Sequence, residues 1–219
     1  MIDKSTLSFL TKLKKNNSKV WFEENRTSYE IAKKNVESFI EGLLFGTSRF
    51  EPGLKNLEAR KCLFRINRDI RFAKDKSPYK SNFGASLNFK GKNDPGPGYY
   101  IHIEPGKSFL AGGIYMPDAP LLHAIRQEID YDLKGFNSIL ANKKFKQIFG
   151  GLSMGDKLQR PPKGYDISNP ALEHLKNKHF IVSHPISDTE LQSKTLLKKT
   201  IADMETMKPF TDFLKRAIE

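Results

Sequence analysis

The chain has 219 residues, 38% hydrophobic and 28% charged, with 16 Phe against one Trp. This composition excludes a disordered chain and points to a Phe-rich core, and the length suits one domain spanning 1–219. The formal net charge of +12 favours anionic partners, and residues 55–80 hold half of that excess, nine basic residues against three acidic.

The opening segment STLSFLTKLKKNN sets Leu7, Phe9, Leu10 and Leu13 at helical spacing, with Ser5 as the expected N-cap and Asn16–Asn17 as the stop. A longer helix is expected over SKVWFEENRTSYEIAKKNVESFIEGLLFG: Phe22, Tyr29, Ala32, Val36, Phe39, Ile40 and Leu43 form its apolar stripe, and Gly46 suits a C-terminal stop. The period then changes to two. In CLFRINRDIRF, Phe64, Ile66, Ile70 and Phe72 alternate with Arg65, Asn67, Asp69 and Arg71, the pattern of a half-buried strand. Arg68 falls on the apolar side, so it must lie at a bulge, snorkel past its neighbours or be paired in the interior.

KDKSPYKSN reads as a turn, GASLNFKG as a second strand, and YYIHIEPGKSFLAGGIYM as a hairpin turning at Pro105–Gly106. No helix-sized segment separates these strands, which favours antiparallel pairing. Helix returns in PDAPLLHAIRQEID, capped by Asp118, and in the shorter turns of FNSILANKKFKQIFGG. After a loop, Asn169–Pro170 is expected to open a short helix, HFIVSHPI is a last strand, and a Ser187–Glu190 capping box starts a helix that Pro209 should break. The fold class is therefore α+β: an antiparallel sheet of about four to six strands packed with N-terminal and C-terminal helices.

No apolar run approaches the roughly 18 residues that cross a bilayer, and the N-terminus lacks a continuous apolar stretch, so a cytoplasmic protein without a membrane partner is expected. The lone Cys62 forms no intrachain disulfide and reads as a buried structural thiol.

Several apparent motifs fail on context. GKS at 106–108 lacks the upstream glycine of a phosphate loop and precedes a strand, and GPG at 96–98 lacks the third glycine of a dinucleotide fingerprint. GLSMG at 151–155 matches a nucleophile elbow, with Asp166 and His174 downstream of Ser153, yet a helical segment precedes it and a polar loop follows. His174, His179 and His184 stand five apart, which is not metal-ligand spacing, so no metal site and no cofactor are expected.

What remains is a constellation of two parts. Strand parity puts Tyr100, His102 and Glu104 on one face and Arg65, Asn67, Asp69 and Arg71 on another. Should those faces adjoin, Arg65, Arg68 and Arg71 would hold a phosphate or carboxylate, with Lys74 and Lys80 flanking it and Tyr79 or Tyr100 as an aromatic wall. His102 with Glu104 or Asp69 would then be the acid–base candidates. The plainer reading of this segment is a solvated sheet edge guarded by lysines, with Arg and Asp pairing locally.

The blocks WFEENRTSYE at 21–30, FRINRDIRFAKDKSPYKSNFGA at 64–85, GPGYYIHIEPGKSFLAGGIYMP at 96–117, and RPPKGYD through LKNKHFIVSHPISD resemble those of a bacterial family, domain of unknown function 2461. The resemblance spans nearly the whole chain and implies a single module. It assigns no reaction, cofactor or catalytic residue. The expected function is binding of an anionic small molecule, with or without catalysis. A nucleic-acid-binding module, with Tyr79, Tyr99 or Tyr100 stacking on bases, and a scaffold or partner-binding protein are the alternatives.

Overall fold

The computed structural model describes residues 1–153 and 155–218. Helices α1 (Lys4–Lys15), α2 (Lys19–Glu24), α3 (Arg26–Thr47) and α4 (Ala59–Cys62) lead into strands β1 (Phe83–Leu87), β2 (Gly98–Ile103) and β3 (Ser108–Ile114). Helices α5 (Ala119–Tyr131), α6 (Leu133–Ala141), α7 (Lys143–Phe149) and α8 (Leu172–Leu175) follow, then strand β4 (Phe180–Ile186) and helices α9 (Asp188–Leu191) and α10 (Leu196–Arg216). The four strands make one antiparallel sheet in the order β1-β2-β3-β4, and the class is α+β. Among the described residues no helix is long and apolar enough to cross a membrane.

By its internal contacts the chain divides into two compact units, each built from three segments. The first comprises Met1–Asn93, Tyr100–Leu110 and Pro185–Ala202, and the second comprises Asp94–Tyr99, Ala111–His184 and the residues from Asp203 onward. In the second unit a cluster of buried rings forms the core: Phe136 lies 5.0 Å from Phe213 and 6.2 Å from Phe210, and Phe210 lies 6.0 Å from Phe145.

The β2–β3 hairpin closes as expected. Gly106 takes φ +74°, a value that glycine reaches without a Cβ clash, and the Lys107 amide donates to the Glu104 carbonyl at 2.9 Å across the turn. Asp118 caps α5, and Ser187 and Glu190 form the reciprocal capping box of α9. Cys62 is buried, and burial pushes its thiol up to about 11.

Several expectations about the helices change. Asp3, not Ser5, stands at the N-cap of α1. The long helix is two, α2 and α3, divided at Asn25, whose φ of −108° departs from helical geometry while its side-chain amide and its backbone N–H both donate to the Trp21 carbonyl, at 2.9 and 3.1 Å. Gly46 is the penultimate residue of α3 and does not take the left-handed conformation of a helix-stop glycine; a Cβ there would come within 2.2 Å of the Ile201 side chain, so packing explains it. Asn169 accepts the Ala171 amide at 2.7 Å but the helix begins only at Leu172, with Ala171 at its N-cap. Pro209 lies inside α10 without ending it, since the adjoining Met207, Phe210, Phe213 and Leu214 are buried, and tertiary packing outweighs the roughly 3 kcal/mol a helical proline costs.

The largest correction concerns residues 62–72, which form no ladder strand. Two isolated antiparallel bridges, Leu63 with Ala85 and Asn67 with Tyr79, are what the segment makes. In the loop that the Asn67–Tyr79 bridge closes, side chains bind the backbone locally: Asp69 accepts the Arg71 amide at 3.2 Å, and Asp75 accepts the Ser77 amide at 2.9 Å. These turns fold the chain over before pairing can continue. Phe72, expected on the packing face, is 95% exposed.

The first unit holds the turn after this segment in a fixed place. Around the Asn67–Tyr79 bridge, the Arg68 amide donates to the Pro78 carbonyl at 2.9 Å and the Lys80 amide to the Ile66 carbonyl at 2.8 Å. The backbone groups of Tyr79 itself face the other way, and Asn17 satisfies both: its Oδ1 accepts the Tyr79 amide at 3.0 Å and its Nδ2 donates to the Tyr79 carbonyl at 2.9 Å. One asparagine side chain thus substitutes for a missing strand. The Tyr79 ring is buried and stacks on Phe22 of α2 at 4.0 Å and 14°.

Replacing Asn17 by Ala strands both backbone groups of Tyr79 and should lower stability by about 1–3 kcal/mol, read as a lower urea midpoint with an unchanged slope. An unchanged midpoint would show that the clamp contributes nothing.

Candidate functional site

In the first unit, a cavity of about 350 Å³ is lined by Lys14 and Asn17, by Arg68, and by Asp75, Ser77, Tyr79, Lys80, Ser81 and Asn82. Each cation that reaches it is held. Arg68 pairs with Asp75 and donates to the Ser77 carbonyl at 3.3 Å; its side chain is 27% exposed and that of Asp75 63% exposed, so the pair lies at the surface and not in the interior. Two hydrogen bonds from Ser77, reinforced by the Arg68 guanidinium, hold the Asp75 carboxyl down at about 2. Lys80 donates to the Arg65 carbonyl at 2.9 Å and lies 5.6 Å from the Phe64 ring centre. Burial, together with the charges of Arg65 and Lys92, lowers its ammonium below the usual lysine value.

Behind Ser81 and Asn82 runs a chain of polar side chains from β2. The Tyr100 hydroxyl lies 3.1 Å from His102 Nδ1, and His102 Nε2 lies 3.2 Å from Glu104 Oε2. Asn82 Nδ2 is 3.4 Å from the same Nδ1, while Glu104 Oε1 accepts from Lys14 Nζ at 3.3 Å and from Ser81 Oγ at 3.4 Å. Phe109 stacks on the imidazole at 4.8 Å and 11°. Gly84 makes room for the phenol, since a Cβ there would sit 2.5 Å from the Tyr100 oxygen.

Electrostatics assigns the protons along this chain. Burial pushes the Glu104 carboxyl up, but the hydrogen bonds from His102 and Lys14 outweigh it and hold the group below the usual carboxylate range. Burial pushes the Tyr100 phenol up to about 12, so it keeps its proton at neutral pH. An ionised Glu104 only accepts, so Nε2 carries a proton toward it, while the Tyr100 hydroxyl and, at the longer distance, the Asn82 amide stand at Nδ1. Both imidazole nitrogens are engaged within the protein. What the arrangement does directly is position Glu104, and through it Lys14 and Ser81 at the cavity wall.

The residues selected from sequence therefore divide. Arg68, Tyr79 and Lys80 line the cavity, and Tyr100, His102 and Glu104 form the chain behind it. Arg65 and Lys74 are exposed, and Asp69 is paired bidentately with Arg71 at 2.7 and 3.0 Å in a largely exposed contact. Lys14, Asn17, Ser77, Ser81 and Asn82 were not singled out by sequence. Lys14 reads as part of a solvated helix face and Asn17 as a helix stop, and only the turn character of KDKSPYKSN pointed toward the other three.

The esterase-like motif does not assemble. Ser153 Oγ lies 3.0 Å from Ser183 Oγ, His174 Nε2 is 2.9 Å from Asn137, and Asp166 accepts from Ser168. Met154 of that motif lies outside the described residues. Among the described residues, no group of three or more His, Cys, Asp or Glu side chains could hold a metal ion.

No curated protein and no solved structure matches the chain. A family model described as "Conserved hypothetical protein (DUF2461)" matches residues 5–213, a span that includes the cavity and the chain of polar side chains behind it. The protein belongs to that family.

Proposed function

We propose that the protein binds an anionic ligand, phosphorylated or carboxylated, in the cavity between α1 and the 75–82 turn. The observation that carries this reading is the convergence of Lys14, Arg68 and Lys80, from three separate segments, on one cavity with Ser77, Ser81 and Asn82 as additional donors. Guanidinium and ammonium groups held by protein partners lose less side-chain entropy on binding, which favours recognition of an anion over a chance surface cluster. A volume of about 350 Å³ suits a small molecule or one part of a larger one. His102 and Glu104 support the site by orientation. They could serve a proton transfer only if a ligand displaced Lys14 or Ser81 from Glu104 and so freed the carboxylate.

A thermal-shift panel of phosphorylated and carboxylated metabolites tests the reading. A ligand at about 100 times its Kd should stabilise the native state by about 2.7 kcal/mol, and Arg68→Gln should remove the shift. A panel without a stabilising compound, or one that stabilises Arg68→Gln equally, would contradict it.

Glu104 also predicts a pH dependence. Its folded-state pKa is depressed, so its contribution to stability is present above the ordinary value of 4.5 and is lost as pH falls through the folded value. The difference in unfolding free energy between wild type and Glu104→Gln should therefore be largest near neutral pH and shrink below about pH 4.5. A difference that stays constant from pH 7 to pH 3 would exclude the ionised carboxylate as the hub of the network.

A further inference from the structure

We infer that the ligand is a single-stranded nucleic acid, one phosphodiester of which occupies the cavity while the adjoining base stacks on Phe72. The inference rests on the anion-pocket reading and adds the ligand's class to it.

The first observation is charge. Lys14, Arg68 and Lys80 stand at the cavity, and Asp75 and Glu104 already neutralise two of them, leaving one net positive charge. A phosphodiester is a monoanion and matches that charge, whereas a phosphate monoester carries between about 1.5 and 2 negative charges at neutral pH. A carboxylate would match equally well, and the second observation separates the two.

The loop between Arg68 and Asp75 presents an aromatic ring to solvent. Phe72 is 95% exposed, and Ile70 and Ala73 beside it are half-buried. The loop is braced by its own polar groups. Asp69 takes Arg71 at 2.7 Å, Lys76 Nζ donates to the Ile70 carbonyl at 3.0 Å, and Asp75 takes Arg68 and the Ser77 hydroxyl. A braced loop with an outward Phe resembles a preformed stacking platform more than a collapsed apolar turn. The Arg71 guanidinium lies 5.9 Å from the ring centre and adds a cation beside it.

Reach and surroundings fit. The cavity residue Asp75 lies three positions beyond Phe72, at most about 11 Å of chain, so a base adjoining a phosphate in the cavity can meet the ring. Arg65 and Lys74 are exposed and form no ion pair among the described residues, which leaves them for flanking phosphates. The aromatic side chains expected to stack fit less well: Tyr79 and Tyr99 are buried and Tyr100 is half-buried. An anionic bilayer is the competing partner, but one ring beside half-buried aliphatic groups offers little apolar area for insertion.

The test uses the full chain and a fluorescent oligothymidylate of about 12 nucleotides, with anisotropy read between about 50 and 200 mM salt. Binding should weaken with salt, Phe72→Ala should weaken it about tenfold, and Phe72→Trp should restore it, with the melting temperature unchanged in both variants because the side chain is exposed. Arg65→Gln with Lys74→Gln should flatten the salt slope by roughly 1 to 1.5. Binding that is indifferent to Phe72→Ala overturns the inference, as does sedimentation with phosphatidylserine vesicles without oligonucleotide binding. If the oligonucleotide fails to bind while inorganic phosphate still raises the melting temperature through Arg68, the nucleic-acid inference falls and the anion pocket stands. If neither binds, both fall.

Discussion

The candidate site depends on how Tyr79 is held. Its ring is stacked on Phe22, its amide and carbonyl are bonded to the side chain of Asn17, and the residues on either side of it are bonded to Ile66 and Arg68. Each contact comes from a different part of the chain, so the 75–82 turn is fixed against both α1 and the 63–68 segment. Lys14, Asn17 and Arg68 line one cavity for that reason. A turn so rich in lysine and serine would otherwise be among the most mobile parts of a domain.

Charge in this region is arranged to be held rather than merely accumulated. Arg68 faces Asp75, Lys14 faces Glu104, and Glu104 in turn faces His102, so the positive groups at the cavity carry defined partners. The exposed pairs add little to stability by themselves. Their effect is geometric, since a guanidinium held by a carboxylate and a carbonyl presents its remaining N–H groups in a fixed direction. The Tyr100–His102–Glu104 chain acts in the same sense: both imidazole nitrogens have partners, and the second oxygen of the carboxylate accepts from a lysine and a serine.

Sequence parity made the hairpin and the Tyr100, His102 and Glu104 face legible, because alternation over six residues with a Pro–Gly turn has few other structural solutions. Arg68 does have a partner, Asp75, but the strand face that singled it out does not form. The same reasoning misread 62–72, where alternation was present but aspartate side chains closed local turns before a ladder could form. Lys14 and Asn17 were illegible for a different reason. Their roles depend on residues 62 or more positions away, and nothing in a helix end announces which distant backbone its asparagine will bind. Pro209 shows the converse, since a local signal for helix termination was overridden by packing that sequence alone does not display.

The most direct measurement of the central claim is a side-chain NMR titration of the full protein with inorganic phosphate, following lysine ammonium, arginine guanidinium and asparagine amide signals. The account predicts saturable shifts confined to Lys14, Arg68, Lys80 and Asn82, with a smaller response relayed to the His102 ring. Shifts spread evenly over exposed lysines such as Lys74 and Lys198, with Arg68 silent, would contradict it.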